Sequence, residues 1–132
     1  MPRTERCSHV SPAQGKYLMR LLYLQETAGT HVVSTGRLAQ DLNVKDSSVT
    51  GMLERLAEAG WVIYMPYRGA RLSEQGLCIA RDLTCTHDNL IAFLCETLGY
   101  SLANAESEAE HLEHHVSPEF IQRLKIWIKQ KN

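Results

Sequence analysis

The chain has 132 residues, 44% of them hydrophobic, and a formal net charge of -1. This length allows one hydrophobic core but excludes two full-sized domains. The polar start, MPRTERCSHVSP, has no apolar stretch, and no window approaches the length of a membrane span, so we expect neither a secretory signal nor a membrane partner. The four cysteines form no CxxC pair and no dense disulfide spacing, which predicts reduced thiols in a cytoplasmic protein.

The charges are unevenly distributed along the chain. Residues 1–81 hold ten Lys or Arg against seven Asp or Glu, whereas residues 82–132 hold four against eight. A basic segment favours a polyanionic partner, and an acidic segment favours a cation. The imbalance therefore suggests a different task for each half of the chain.

The front half has the pattern of three helices followed by a β-hairpin. Apolar residues recur at helical spacing, and Gly29 and Gly60 stop the first and third helices. The predicted elements are a helix over residues 12–28, a short helix capped by Ser34 or Thr35, a helix over residues 46–59, and strands over residues 61–64 and 70–73. This order predicts a winged helix-turn-helix. The second helix of that motif, here the predicted helix over residues 46–59, enters a DNA major groove, while the wing lies along the DNA backbone.

Polar and basic side chains on this scaffold suit double-stranded DNA. Short hydroxyl side chains near the start of the third helix can bond base edges or phosphates, and arginines on the second helix and the hairpin can contact the backbone. The candidates are Arg37, Lys45, Ser47, Ser48, Thr50, Arg68 and Arg71. The alternatives are helix capping for each serine and a solvated surface charge for each arginine.

The back half is predicted to be all-helical. From Ser73 to Leu98, one stripe recurs at steps of three and four, which predicts a long helix that packs partly against a second subunit. The stripe comprises Leu77, Ala80, Thr84, His87, Ile91, Leu94 and Leu98. A helix capped by Ser101 or Asn104 should follow, running to about Val116, and then a helix from Pro118 to about Lys131. The predicted domains are residues 1–72, which bind DNA, and residues 73–132, which form a homodimer and bind metal.

The densest chemistry lies in AESEAEHLEHH. Its candidates Glu106, Glu110, Glu113 and His114 fall on one side of a helix, with His115 beside them. Carboxylates crowded with an imidazole repel one another unless a cation lies among them, and manganese, iron and zinc accept both ligand types. The alternative is a solvated acidic helix. Catalysis has no motif to support it, because an HExxH match is broken and no nucleophile arrangement or phosphate loop appears.

Three segments, DSSVTGMLERLAEAGWV, YRGARLSEQG and AEHLEHHVS, resemble the DtxR/MntR family of metal-dependent repressors. The resemblance covers about residues 12–130 and implies a winged helix before a helical dimerisation domain, with Mn(II) or Fe(II) bound between them. By position, the implied ligands are His87, Glu110, Glu113 and His114, with Glu106 as an accessory. The chain ends where some members add an SH3-like domain, so it resembles the short, manganese-type branch.

The first helix departs from the family pattern. Lys16 and Met19 stand where the family usually has its first-helix ligands, and a protonated ammonium cannot coordinate a cation. Met19 or Gln14 could reach the site, or Cys7 and His9 could substitute and favour iron or zinc. Alternatively, Lys16 neutralises the carboxylates and gives a metal-independent, MarR-like regulator. We predict a retained but altered site in a metal-responsive, dimeric repressor of metal-homeostasis genes that binds a palindromic operator.

Overall fold

The computed structural model describes residues 10–131, which form helices and one short hairpin. The elements are α1 (Pro12–Ala28), α2 (Thr35–Leu42), α3 (Asp46–Glu58), β1 (Val62–Met65), β2 (Gly69–Leu72), α4 (Glu74–Leu98), α5 (Leu102–Leu112) and α6 (Pro118–Lys131). Pro12–Arg81 form a first unit, residues from 82 onward form a second unit, and α4 contributes to both. The predicted order of a winged helix-turn-helix followed by a helical domain is confirmed.

Local capping chemistry sets the turn between α2 and α3. The Ser34 hydroxyl accepts a hydrogen bond from the backbone N–H of Arg37 at 3.1 Å, so Ser34 is the cap that begins α2. Asn43 ends the helix in the left-handed conformation (φ 56°), which asparagine tolerates better than most residues. The N–H of Val44 then bonds to the carbonyl of Ala39 at 3.0 Å. The result is a tight connection that fixes where α3 begins.

The hairpin has a stem that is anchored to the segment before α2. Strands β1 and β2 pair antiparallel, with Val62 opposite Leu72, and each is offset by one residue from its predicted position. Val33 and Ala70, the second residue of β2, exchange two backbone hydrogen bonds of 2.9 Å close to the loop of the hairpin. Gly69 (φ 125°) passes so close to this segment that a Cβ would lie 2.1 Å from the Val33 carbonyl oxygen. Only glycine fits there.

The core of the first unit is made of fully buried aliphatic side chains. Those that are almost completely buried include Leu18, Leu21, Leu24, Leu38, Val49, Leu53 and Leu56. The apolar residues that recur at helical spacing along α3 are Val49, Met52, Leu53 and Leu56, and all of them are buried except Met52, which is half-buried. The helical spacing of apolar residues therefore identified this core correctly.

The second unit has a smaller core. Leu90, Ala109 and Leu124 form its buried cluster, and the rings of Phe93 and Trp127 pack edge to face beside it with centroids 5.4 Å apart. Phe120 of α6 lies outside this core, since it is 39% exposed. Among residues 10–131, the cysteines of α4 are free thiols, as predicted.

Candidate metal centre and nucleic-acid interface

The acidic helix α5 is shorter than predicted. It ends at Leu112, whereas the sequence pattern extended it to about Val116. Residues that precede a proline disfavour helical backbone, and Pro118 opens the next helix. The Ser117 hydroxyl caps that helix by accepting the N–H of Phe120 at 3.2 Å. A short turn therefore carries the last residues of the Glu/His segment.

The candidate ligands of this segment lie in two environments. Glu106 and Glu110 are exposed on α5, and His115 is exposed in the turn. Glu113 and His114 follow the end of the helix, where only 7% of the Glu113 side chain and 11% of the His114 side chain are exposed. The end of α5 is therefore a sheltered position for a carboxylate and an imidazole, while the body of the helix fits the alternative of a solvated acidic face.

His87 of α4 meets this sheltered carboxylate. Its Nδ1 lies 2.5 Å from Oε2 of Glu113, and Nε2 of His114 lies 3.4 Å from the other oxygen, Oε1. The Glu113 carboxylate thus lies between two imidazoles, and the contact joins α4 to the end of α5. We call His87, Glu113 and His114 the His–Glu–His cluster. His87 is therefore in hydrogen-bond contact with a carboxylate, and is not a histidine enclosed by apolar neighbours.

The ionisation of the cluster follows from these contacts. The hydrogen bond with Glu113 raises the pKa of His87, burial opposes this, and the charges of Glu113, Asp88 and Glu110 add to the increase. Burial alone would raise the pKa of Glu113, but hydrogen bonds from His114 and His87 outweigh it and lower the pKa. Both shifts favour a protonated His87 beside an ionised Glu113.

The side chains of the His–Glu–His cluster are of the types that bind transition metals, although in this structure they contact one another. Within residues 10–131, no group of three or more His, Cys, Asp or Glu side chains is arranged so that it could hold a metal ion. Carboxylate oxygens and imidazole nitrogens are nevertheless the ligands that manganese, iron and zinc accept. Ligand histidines must be deprotonated, so metal binding requires loss of the proton between His87 and Glu113. Glu110 is close enough to act electrostatically on His87.

The residues that depart from the family pattern lie on α1. Met19 is half-buried on this helix, and Lys16 is exposed. Cys7 and His9 lie outside the described residues. Participation of Met19, Cys7 or His9 in metal binding therefore stays a prediction, as does that of Glu106.

The candidate DNA contacts lie on the surface of the first unit. Six of them are exposed, namely Arg37, Lys45, Ser47, Ser48, Arg68 and Arg71, while Thr50 is half-buried. The capping position of α3 is Lys45, so neither Ser47 nor Ser48 is the N-cap of that helix. Their hydroxyls lie in its first turn, where backbone N–H groups also favour a phosphate. Their role as DNA contacts stays a prediction.

Sequence reasoning missed Tyr67 at the tip of the hairpin. Its backbone is left-handed (φ 68°), and the residue is fully exposed, with a relative solvent accessibility of 107%. The signal in the sequence is the turn-forming run Pro66-Tyr67-Arg68-Gly69, which puts a tyrosine beside an arginine at the tip of the hairpin.

The two halves of the chain match two consecutive family models. Residues 9–70 match the iron dependent repressor N-terminal DNA-binding domain, and residues 73–130 match the iron dependent repressor metal-binding and dimerisation domain. The chain belongs to the iron-dependent repressor family. This result confirms the predicted family of metal-dependent repressors, with its DNA-binding, metal-binding and dimerisation domains. Members of this family are transcriptional regulators, a class distinct from enzymes.

Curated relatives extend over most of the chain. An uncharacterized HTH-type transcriptional regulator of Methanocaldococcus jannaschii is 39% identical over 114 residues, which cover 86% of this chain and 90% of the relative. The HTH-type transcriptional regulator MntR of Geobacillus kaustophilus is 33% identical over 114 residues, covering 86% of this chain and 79% of the relative.

Solved structures of metal regulators share the fold. The manganese regulator SloR aligns with a TM-score of 0.74 at 28% identity, and ScaR with bound Zn²⁺ aligns with a TM-score of 0.73 at 32% identity. Each alignment covers 87% of this chain and 53% of the other, so the chain spans about half the length of these structures. In the part of the chain that the structure describes, no helix is long and apolar enough to cross a membrane.

Proposed function

We propose that this chain is a metal-responsive repressor that binds a palindromic operator as a homodimer in the cytoplasm and controls metal-homeostasis genes. Mn(II) or Fe(II) is the proposed effector, with Zn(II) as the alternative. The main observation that supports metal binding is the His–Glu–His cluster, in which His87 and His114 flank the Glu113 carboxylate. Similarity to the manganese regulator SloR and to a manganese-dependent repressor solved with manganese supports the choice of metal.

The cluster and Glu110 would together hold the metal. When bound, a divalent cation supplies the positive charge that lets neighbouring carboxylates approach without repulsion. Without it, the protonated His87 provides that charge for Glu113. The side chains themselves keep α4 next to the end of α5. The effect on DNA affinity can be only as large as the preference of the metal for the DNA-binding conformation.

DNA recognition is proposed for α3 and the hairpin. Ser47 and Ser48 in the first turn of α3 are exposed for base edges or phosphates, and Lys45 lies beside them. Arg68 and Arg71 provide cations on the hairpin. A palindromic operator requires the two α3 helices of a dimer to lie roughly 34 Å apart, one turn of DNA.

Exposed apolar side chains of the second unit support the homodimer. Leu98 at the end of α4 is 57% exposed, and Leu102 at the start of α5 is 62% exposed. Tyr100 between them is also exposed. Apolar surface grouped in this way favours burial against a second copy, and the matched dimerisation domain is the reason to choose that partner.

The decisive experiment measures operator affinity during titration with Mn(II), Fe(II) or Zn(II). We expect metal to tighten binding by about 10- to 100-fold, the usual range of allosteric coupling. The double substitution Glu110→Ala with His114→Ala removes two donors and should abolish the gain. His111→Ala is the matched control, because this histidine is exposed on α5 and is not a proposed ligand. A double variant that responds like the wild type would show that the ligands are assigned wrongly.

A metal-independent regulator of the MarR type is the second candidate. It is favoured by the internal ion pair of His87 and Glu113, which balances charge without a cation. Lys16 would add a further positive charge in that case. Thermal unfolding with EDTA and with each metal separates the candidates, because a ligand bound only by the folded protein raises the midpoint. Identical midpoints in every condition would support the metal-independent candidate.

A further inference from the structure

Tyr67 combines two features that are unfavourable in the free protein. Its backbone adopts a left-handed conformation (φ 68°) that crowds the Cβ atom of any side chain. Its ring is fully exposed, so water surrounds a large apolar surface. Strained residues persist where the surrounding structure holds them, and they concentrate at binding sites.

The rest of the hairpin holds the tip in place. The N–H of Arg68 bonds to the carbonyl of Met65 at 3.0 Å and closes the turn. Gly69 is confined against the Val33 carbonyl, which leaves no room for a side chain. The loop therefore has little freedom to relax Tyr67 into an ordinary conformation. The backbone at Tyr67 is therefore held before a partner binds, so that less backbone conformational entropy is lost on binding.

The neighbouring charges indicate the partner. Arg68 follows Tyr67 directly, Arg71 lies on β2, and both are exposed. Cations beside an exposed apolar ring suit the DNA minor groove, where arginine meets a strong negative potential and apolar side chains contact sugars and base edges.

We propose that the ring of Tyr67 packs against deoxyribose in the minor groove of the operator, beside the guanidinium of Arg68. This inference rests on the proposed function as a DNA-binding repressor. It assigns to the hairpin an uncharged contact, in addition to the ionic contacts that its arginines make with DNA.

The test compares variants of the full chain on one DNA duplex. The probe is a duplex of about 30 base pairs, long enough for two half-sites one turn apart, selected by the wild-type protein from a random pool with Mn(II) present. Tyr67→Asn should weaken binding about tenfold, the size of effect produced by losing one apolar contact. Tyr67→Phe keeps the ring and should bind within about twofold of the wild type.

The salt dependence separates a ring contact from an ionic one. Loss of the uncharged Tyr67 should leave the slope of log affinity against log salt unchanged. Arg68→Ala should reduce the magnitude of that slope by about one, because a cation that binds DNA releases about one counterion. Tyr23→Ala is the control for an exposed tyrosine, since Tyr23 lies on α1 away from the hairpin in sequence and should bind normally.

Thermal unfolding excludes simple loss of structure. Asparagine tolerates the left-handed conformation, so Tyr67→Asn should unfold at the wild-type temperature or above it. Weaker binding with undiminished stability supports the proposal. Wild-type affinity of Tyr67→Asn, or a loss in Tyr67→Phe as large as in Tyr67→Asn, overturns it while leaving the proposed function intact. If the wild type selects no duplex, the proposed function itself fails, and the inference fails with it.

Discussion

The two units differ in how completely their own residues bury their apolar surface. In the first unit, three helices and a hairpin enclose a core in which many leucines have no exposed surface. In the second unit, Leu90, Ala109 and Leu124 form a smaller buried cluster, while Leu98 and Leu102 are exposed. The difference indicates that the first unit is specified by its own contacts, whereas a second copy and a cation would complete the second unit.

The largest expected effect tests the close packing of the first unit. Gly76→Ala would place a Cβ 1.8 Å from the Trp61 carbonyl oxygen, a contact that backbone movement must relieve. We expect a loss of roughly 3 kcal/mol in unfolding free energy, at the upper end for overpacked sites. Gly36→Ala is the matched control, because nothing lies within 4 Å of its added Cβ, and alanine should stabilise α2 by about 0.5 kcal/mol. Urea unfolding followed by circular dichroism measures both, and equal stabilities would contradict this packing.

A smaller effect is expected at the incomplete surface of the second unit. Leu102→Lys places a charge where apolar contact with a second copy is proposed, and the dimer dissociation constant should rise about tenfold or more. Ile63→Lys adds the same charge at an exposed position of β1 and should leave the dimer unchanged. Sedimentation equilibrium measures both variants, and a Leu102→Lys dimer as tight as the wild type would place the interface elsewhere.

The smallest effect concerns pH and the metal-free protein. The raised pKa of His87 contributes stability that is complete below its ordinary value of 6.5 and is lost as pH rises through the folded value. The lowered pKa of Glu113 contributes stability that is complete above 4.5 and is lost as pH falls through its folded value. The pair should therefore stabilise most between pH 4.5 and 6.5. Thermal midpoints in EDTA check this, and His87→Gln, which cannot be protonated, should flatten the alkaline side. A profile unchanged by that substitution would exclude the ion pair as its source.

The fold could be predicted closely because its signals are local. Ser34 caps α2, Gly60 follows α3 in the left-handed conformation, and the hairpin strands lie within one residue of their predicted positions. Each of these depends on one residue and its immediate neighbours. The end of α5 was predicted less well, since the helical spacing of the glutamates continues past Leu112 into the turn before Ser117 and Pro118.

The candidate site was less accessible to sequence reasoning. Helical spacing grouped four residues of AESEAEHLEHH, but it could not show that Glu106 and Glu110 are exposed while Glu113 is sheltered. Only the family resemblance predicted that His87 lies beside Glu113, because these two residues are 26 positions apart in the sequence. Tyr67 was missed for another reason, since nothing in its residue type indicates a left-handed backbone.

The anchoring of the hairpin to Val33 has a consequence for engineering DNA specificity. The base of the loop is fixed by backbone hydrogen bonds and by the confinement of Gly69, and none of these contacts involves a side chain of residues 66–68. A library randomised at those three positions would therefore display new side chains on a loop whose backbone anchors are unchanged. Retargeting to other operator sequences could begin there, with α3 left as it is.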